Sequence, residues 1–498
     1  RFSHLHNKLG VTPAAVLPAR RQFRIAIRYR GNPGYHQDTS ARGPVGWQHT
    51  TGGSVAYTEP DGTYEWMPTK DVLYDKATWL VHLVAKAPVM GVATGRFVSS
   101  RTVKGTTTTT FLQDQPITNY QQMIAFDTFR TSTASINGIR SFIAVSTKEA
   151  TSGAGNTTLT EMRNETAAGL SWLTARLGPF PYKDTGAIVV SGGDSAMETA
   201  DRPTYSNDQY YDYSPEVVVH ELSHEWFGGR VTAHNTSDLW LHEAFATWLE
   251  CQWISQQKGQ PTRPELLRRR YLRDGFIDAK AGQFGKVSVE APTNAYRLES
   301  TVYYRGAMAV EALYQQLGHT AFGTLLRGLA QQPAGHSFTT SQFVALAQKL
   351  SGKDLSSWRT QWLTSLAAQP PLTPPTSQEL ADEIAQDVGY QVYGTFTDDL
   401  TADDLSTYAH QALTEDPTWY PGRLTTVGAA SSGTVGSAPY ARIELSIPAG
   451  GPFPTAVTAC LTFPTNLQES QGAAEWYSEH VPLRTDFRID SVTLQGCP

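Results

Sequence analysis

Cysteine is scarce in this chain, with three residues among 498. A scaffold built on disulfides is thereby excluded, and the fold has to rest on buried apolar surface. Charge is sparse too: charged residues make up 17% and hydrophobic ones 40%, the profile of a globular chain and not of a disordered one. The formal charge is −6 and the pI near 6.1, with 12 lysines and 28 arginines scattered along the sequence. That distribution offers no basic field for nucleic acid. No run approaches 18 consecutive apolar residues, so no membrane span is expected. Internal repeats and a signal peptide are lacking as well. The chain opens on Arg1 and not on methionine, which reads as upstream sequence removed. Its length exceeds what one core holds and implies roughly two to four domains.

The cysteines are unevenly placed. Cys251 lies in the apolar helical stretch ATWLECQWI and is expected to be a buried thiol. Cys460 and Cys497 both fall in a β-rich tail. A disulfide between them would tie down an end that otherwise frays, a contribution of about 3 kcal/mol for a loop of that length. Two unpaired thiols in a cytosolic protein are the alternative. The expectation carried forward is the bonded pair and, with it, a secreted protein.

The first 150 residues read as β. In RQFRIAIRYRG the side chains of Phe23, Ile25, Ile27 and Tyr29 alternate with polar neighbours, which predicts a half-buried strand. ATWLVHLVAK and GRFVSSRTVKGTTTTTFL continue the pattern, the latter with a turn at Lys104-Gly105. From about residue 157 the period changes: Leu159, Met162, Ala167, Leu170, Leu173 and Leu177 recur at helical spacing. Helical patterns then dominate to about Leu366. PPLTPPTS (370–377) is a proline-rich break. A helical start, SQELADEIAQDVGYQVYG, follows, and then the strands YARIELSI, TAVTACLTF and FRIDSVTL. The expected fold class is multidomain α+β: a β-rich domain over 1–150, a mainly α-helical domain over 151–369, a linker over 370–377 and a small α/β module over 378–498.

The richest stretch is VVVHELSHEWFGGRV, 217–231. On a helix, residues i and i+4 share a face, so His220 and His224 can direct two imidazoles at one ion. Glu221 is rotated by about 100° and can hold a water on that ion without ligating it. His-Glu-x-x-His alone is only suggestive. A second amphipathic helix, DLWLHEAFATWLECQW (238–253), places Glu243 nineteen positions beyond His224, room enough for the first helix to end and the chain to turn back. His220, His224 and Glu243 with water then complete a tetrahedral zinc site, one ion per chain.

With these residues in view, the chain resembles the M1 family of zinc metallopeptidases, the gluzincin aminopeptidases that include aminopeptidase N and leukotriene A4 hydrolase. HELSHEWFGGRVT followed by DLWLHEAFATWLE carries the likeness. SAMET (195–199) stands where the family has its Gly-Ala-Met-Glu-Asn exopeptidase motif, and VYYRGAM (302–308) matches its Tyr-x-x-Gly segment. EPDGTYEWMPTKDVLYDKATW resembles a proline- and aspartate-containing stretch of the family's N-terminal β-domain. The likeness runs from about residue 20 to about 370, and the last 120 residues lie outside it. It implies a thermolysin-like catalytic domain behind a β-domain that here lacks its first strands. It also implies Tyr303 as donor to the oxyanion, Glu198 as amine-binding carboxylate with Ala196 and Met197 lining the substrate, and Glu59 as a second anchor. Departures are Ser195 for the motif's first glycine, Thr199 for its asparagine, Thr236 for a usual tryptophan, and His242 and Ala244 for the Asn and Gly flanking the third ligand.

The expected function is a zinc-dependent, secreted aminopeptidase acting on peptides with a free N-terminus, with Glu221 as general base and acid on zinc-bound water. Two other readings stay open: a zinc endopeptidase indifferent to the free amine, and a non-catalytic binding protein using the C-terminal module.

Overall fold

The computed structural model describes residues 1–366 apart from 6–7, 42, 149–158, 193–195, 207–214, 259, 273–286 and 334, and beyond them residues 426–427, 431–435, 438–447, 457–464 and 491–493. The chain opens with a hairpin of β1 (Phe2–Leu5) and β2 (Lys8–Val11). β3 (Tyr35–Asp38), β4 (Gly43–His49), β5 (Ser54–Tyr57), β6 (Ala77–Lys86), β7 (Met90–Ala93), β8 (Arg96–Val103), β9 (Thr106–Ile117) and β10 (Ile124–Asp127) follow. They form two sheets, ordered β3-β4-β5-β10-β7 and β6-β9-β8. The turn between β8 and β9 falls at Lys104-Gly105, with φ of +49° and +74°. Two successive left-handed residues match the twist of a two-residue hairpin, and glycine takes that conformation without a Cβ clash.

One expectation fails here. Residues 21–34 form no strand, and Phe23, Ile25, Ile27 and Tyr29 are 59%, 53%, 46% and 57% exposed. Alternation is a local signal, whereas a strand also needs a neighbour to take up its N–H and C=O groups. No described strand lies beside this segment. It is tied down instead by the Tyr29 hydroxyl, which donates to the Trp66 carbonyl at 3.1 Å.

The third sheet is mixed: β11 (Phe129–Ile136), β12 (Ile139–Ser146), β13 (Asp184–Val190) and β14 (Thr204–Ser206), in that order. β11 and β12 are antiparallel, while β12, β13 and β14 run parallel. A parallel pair needs a crossover, and α1 (Leu159–Leu177) supplies it, burying Met162, Leu170, Leu173 and Leu177 beside Ile143, Val145 and Val189. A division at residue 150 therefore cuts through one sheet: strands on either side of it share a ladder. Sequence periodicity marks where strands give way to helix, not which strands pair.

The helical part holds α2 (Pro215–Ser223), α3 (Trp240–Ile254), α4 (Arg263–Leu272), α5 (Gly306–Ala330) and α6 (Thr340–Ser351). α3 is buried on nearly every side, as a helix with apolar residues all round must be. Its aromatic residues anchor the core: Phe227 stacks on Phe245 at 4.5 Å, and Trp240 meets Phe343 edge-on at 5.3 Å. Cys251 is fully buried there, as expected. A short parallel pair joins Thr232–Ala233 to Ser337–Phe338.

The N-terminal sheets and the mixed sheet meet at Arg202, which is fully buried. Its guanidinium donates to the carbonyls of Phe142 (2.9 Å), Ala93 (2.5 Å) and Gly95 (3.1 Å), beside Asp201. In the tail, Ala438–Ile447, Val457–Pro464 and Ser491–Thr493 are the antiparallel strands expected there. The linker, the helical start after it, and Cys497 lie outside the described residues, as does the side chain of Cys460. Among the described residues no helix is long and apolar enough to cross a membrane.

Candidate metal centre and substrate cleft

α2 carries His220 and Glu221 and ends at Ser223, with His224 in the turn that follows. The chain returns through α3, whose first turn brings Glu243 back to both rings. Glu243 Oε2 lies 3.6 Å from His220 Nε2 and 3.5 Å from His224 Nε2. The three donor atoms fall within 4.8 Å of one another. His224 and Glu243 are buried, while the His220 side chain keeps 14% exposure.

The other nitrogen of each ring fixes the tautomer. His220 Nδ1 is 3.0 Å from Glu250 Oε2, and His224 Nδ1 is 3.0 Å from the Phe227 carbonyl oxygen. Neither oxygen can donate, so both Nδ1 atoms carry a proton and both Nε2 atoms face Glu243. Burial would lower the two rings, but the neighbouring carboxylates, Glu243 first, outweigh it and raise both, so Nε2 is the atom each ring would offer a metal on releasing its second proton. Glu250 is in turn gripped by Arg270. Burial alone would raise the Glu243 carboxyl, but the adjoining His224 and His220 outweigh it and hold it far below the usual range. Glu243 Oε1 is buried with no hydrogen-bond partner among the described residues. Two imidazole Nε2 atoms on one point, one ionised carboxylate with an orphaned oxygen, and acceptors behind the rings fit a zinc ion with an open fourth position.

Glu221 sits beside the cluster, 7% exposed, and burial pushes its carboxyl up to about 7, against the pull of His220 and His224. A carboxyl poised there is suited to take and return a proton near neutral pH. Tyr303 stacks nearly parallel to His220, with ring centroids 6.3 Å apart. Burial and then the nearby carboxylates, Glu243 first, raise its phenol well above the ordinary value, so it stays a donor. The adjacent Tyr304 lies under the Arg270 guanidinium instead. Tyr303 belongs to a π-helical turn, Thr301–Arg305, that runs into α5. At Gly306 an added Cβ would meet the Ala244 Cβ at 2.7 Å. That close approach of α5 to α3 brings Tyr303, one turn upstream, near Glu243.

Two more carboxylates converge from the β side. Glu198 is 3% exposed, and its Oε1 and that of Glu59 are buried without a hydrogen-bond partner among the described residues. Burial first, then Glu198 and Glu243, push the Glu59 carboxyl well up. The Thr58 N–H donates to Met197 Sδ at 3.4 Å and the Thr58 hydroxyl to the Tyr120 carbonyl at 2.6 Å, which docks the Glu59 loop on the SAMET segment. Met197 packs in the core and pairs with Thr204, while Ala196 is half-buried against the main cluster. Thr199 turns inward, donating to the Arg202 carbonyl at 2.6 Å; Ser195 lies outside the described residues.

Sequence reasoning missed the residues behind the ligands. Glu250 had a readable signal, since it stands seven positions after Glu243 and so shares a helix face with it. His242 did not: its Nε2 accepts from the Ala233 N–H at 2.7 Å, and burial pushes its pKa down to about 3.

Comparison with known proteins follows the same lines. Residues 195–362 match the family model described as Peptidase family M1 domain. An aminopeptidase N from Streptomyces lividans is 26% identical over 216 residues, covering 40% of this chain and 25% of that protein. An alanine/arginine aminopeptidase from Saccharomyces cerevisiae is 31% identical over 158 residues, or 30% of this chain and 18% of that one. The chain thus spans about a quarter or less of the length of these curated relatives. The crystal structure of an M1 zinc metallopeptidase from Deinococcus radiodurans superposes with a TM-score of 0.60 at 25% identity, covering 70% of this chain and 77% of that one. A glutamate-to-alanine mutant of that enzyme bound to a Tyr-Ser-Ala substrate gives 0.61 at 26% identity, with the same coverage.

Proposed function

We propose that this chain, which matches the Peptidase family M1 domain model over residues 195–362, is a zinc-dependent aminopeptidase of that family that removes the N-terminal residue from peptides with a free amine. The observation that carries the reading is the meeting of a two-histidine, one-glutamate cluster with a carboxylate pair: His220, His224 and Glu243 around one point, with the orphaned oxygens of Glu198 and Glu59 beside them. His220, His224 and Glu243 would hold the zinc, which when bound supplies Lewis acidity to a peptide carbonyl and to water.

The chain's own residues do the rest. Glu221 takes the proton of the attacking water and delivers it to the leaving amine. The Tyr303 phenol donates to the oxygen that gains negative charge as the carbonyl becomes tetrahedral. Glu198, with Glu59, receives the substrate's α-ammonium, replacing the hydration lost on entry with charge-assisted hydrogen bonds. Ala196 and Met197 line the approach.

A panel of aminoacyl arylamides, free and N-acetylated, with and without a chelator, tests the reading. Cleavage of the free series alone, abolished by chelation and restored by zinc, is expected. Equal cleavage of the acetylated series would move the protein to the endopeptidases, and activity in metal-free protein would remove the zinc assignment. Secretion rests on the proposed Cys460–Cys497 bond. Thiol titration of protein unfolded without reductant should then find Cys251 alone, and three thiols would count against it.

A further inference from the structure

Beside the proposed metal centre stands a second group of histidine and glutamate, with one ring and two carboxylates in place of two rings and one. A ring nitrogen of His242 and one carboxylate oxygen each from Glu59 and Glu198 lie within 4.8 Å of one another. By composition it is another cation site. The placement of the ring proton says otherwise.

His220 and His224 have their Nδ1 atoms turned to oxygen acceptors, which leaves lone pairs on Nε2 for a metal. His242 is wired the opposite way. The Ala233 N–H donates to its Nε2 at 2.7 Å, so that nitrogen holds a lone pair already in use. Ala233 cannot turn away: it is fully buried, in the short strand Thr232–Ala233 paired with Ser337–Phe338, and the next residue's N–H donates to the Phe338 carbonyl. A neutral imidazole with one nitrogen accepting must carry its proton on the other. Nδ1 is therefore a donor with no lone pair to give a cation. It is buried, and no described residue accepts from it; nor does any described residue donate to Glu59 Oε1 or Glu198 Oε1. A ring nitrogen and one oxygen of each carboxylate share a single small volume, with the buried, equally unpartnered Tyr120 hydroxyl beside Glu198 and Glu59, and buried groups of this kind are costly to leave unsatisfied.

We propose that His242 is a positioning residue of the amine pocket: its locked Nδ1–H donates to the Glu59–Glu198 pair and holds the two carboxylates in place for a substrate's α-ammonium. The inference rests on the aminopeptidase reading and deepens it. Two ionised carboxylates this close would repel each other; burial and then Glu198 push the Glu59 carboxyl well up, so the pair gains its full charge only when a cation arrives. A lysine or arginine would quiet that repulsion but would also occupy the ammonium's place. A neutral ring supplies a hydrogen bond without a competing charge, so the pocket stays selective for the incoming amine.

The rival explanation is that His242 only caps the Ala233 N–H. Two substitutions separate the roles. An asparagine side chain ends near the position of Nδ1 and keeps a donor there, while a glutamine reaches the position of Nε2 and keeps the contact with Ala233. Steady-state kinetics on free and N-acetylated arylamides are measured for both variants, with zinc content read alongside. If the donor matters, His242→Gln raises KM for the free substrate roughly tenfold, as loss of one hydrogen bond to a charged group should, with kcat little changed. His242→Asn then stays close to the unaltered enzyme. The reverse order overturns the proposal in favour of the Ala233 contact, and so does equal behaviour of the two variants, whether both are impaired or neither is. Histidine 15N spectra of the unaltered protein give a check that needs no variant: a neutral ring protonated at Nδ1 is expected for His242, and an Nε2–H or doubly protonated ring overturns the proposal. Failure here is distinguishable from failure of the functional reading. Unaltered enzyme that cleaves free and acetylated substrates equally removes the amine pocket itself, whereas unchanged discrimination in His242→Gln removes only the role of His242.

Discussion

Replacing Glu250 with alanine should weaken zinc binding without touching a ligand. Glu250 is 7% exposed, and its Oε2 accepts the Nδ1 proton of His220 at 3.0 Å. Burial would raise its carboxyl, but Arg270 and His220 outweigh that and hold it down at about 2, so it is ionised wherever the protein is folded near neutral pH. A hydrogen bond to an ionised group contributes about 1.5–3 kcal/mol, or roughly ten- to a hundredfold in an equilibrium constant. Removing it frees the ring to rotate or to move its proton to Nε2, and either change takes away the lone pair meant for the metal. Losses of about 10–100-fold in metal affinity are what such partners ordinarily supply. Glu250→Gln keeps an acceptor without the charge and should fall between. The assay is competition with a chelator of known zinc affinity. It should be run well below the melting temperature, because the alanine variant also leaves Arg270 without its carboxylate and will unfold more readily. Zinc affinity in Glu250→Ala within about twofold of the unaltered protein would refute the reasoning, since the expected loss is several times larger.

Glu221→Gln should retain one zinc per chain and lose nearly all turnover, measured by elemental analysis and arylamide hydrolysis; normal activity would place the base elsewhere. Tyr303→Phe should lower kcat roughly a hundredfold with KM little changed, while Tyr304→Phe, removed from the cleft beneath Arg270, should be far milder; the opposite order would reassign the donor. Asp38 tests a different region, where Arg297 also grips Asp61 at 3.1 and 3.2 Å. Burial raises the Asp38 carboxyl, but donation from Ser40, Ala41 and Arg297 holds it down at about 2. Its stabilisation is therefore full above its unfolded pKa of about 3.9 and is lost as pH falls through 2. Asp38→Asn should melt below the unaltered protein at pH 7, with the gap closing in acid; a gap independent of pH would mean that the charge contributes nothing.

What the sequence could disclose follows the range of the signal. His220 lies in α2 and His224 four positions on, in the turn that ends it, and Glu243 needed only a second helix to bring it back, so the cluster was readable from spacing. Glu250 was within reach of the same reasoning. His242 was not, because its proton is placed by the backbone of Ala233, and no local pattern encodes a contact with a strand formed by Ser337 and Phe338. Phe23 to Tyr29 fail for the converse reason: alternation was present and a pairing neighbour was not. The ladder between β12 and β13 joins residues on either side of α1, and periodicity is silent on such pairings.

The buried guanidinium of Arg202 has a bearing on how chains of this kind can diverge. Its hydrogen bonds cross from the mixed sheet to main-chain oxygens of residues 93 and 95, not to side chains. Exchange of one N-terminal half for another would thus demand a matching backbone path, and of residue identity chiefly the glycine at 95, where φ is +93° and a Cβ would meet the Gln113 nitrogen at 2.5 Å, and Gln113 itself, whose side chain donates to Asp201. Correlated substitution, the usual trace of two regions that depend on each other, would record the Gln113–Asp201 pair but not the carbonyls that accept from Arg202. A hybrid assembled from two relatives could pass every comparison of amino-acid types and still strand a cation in apolar surroundings if the incoming strand ended one residue short.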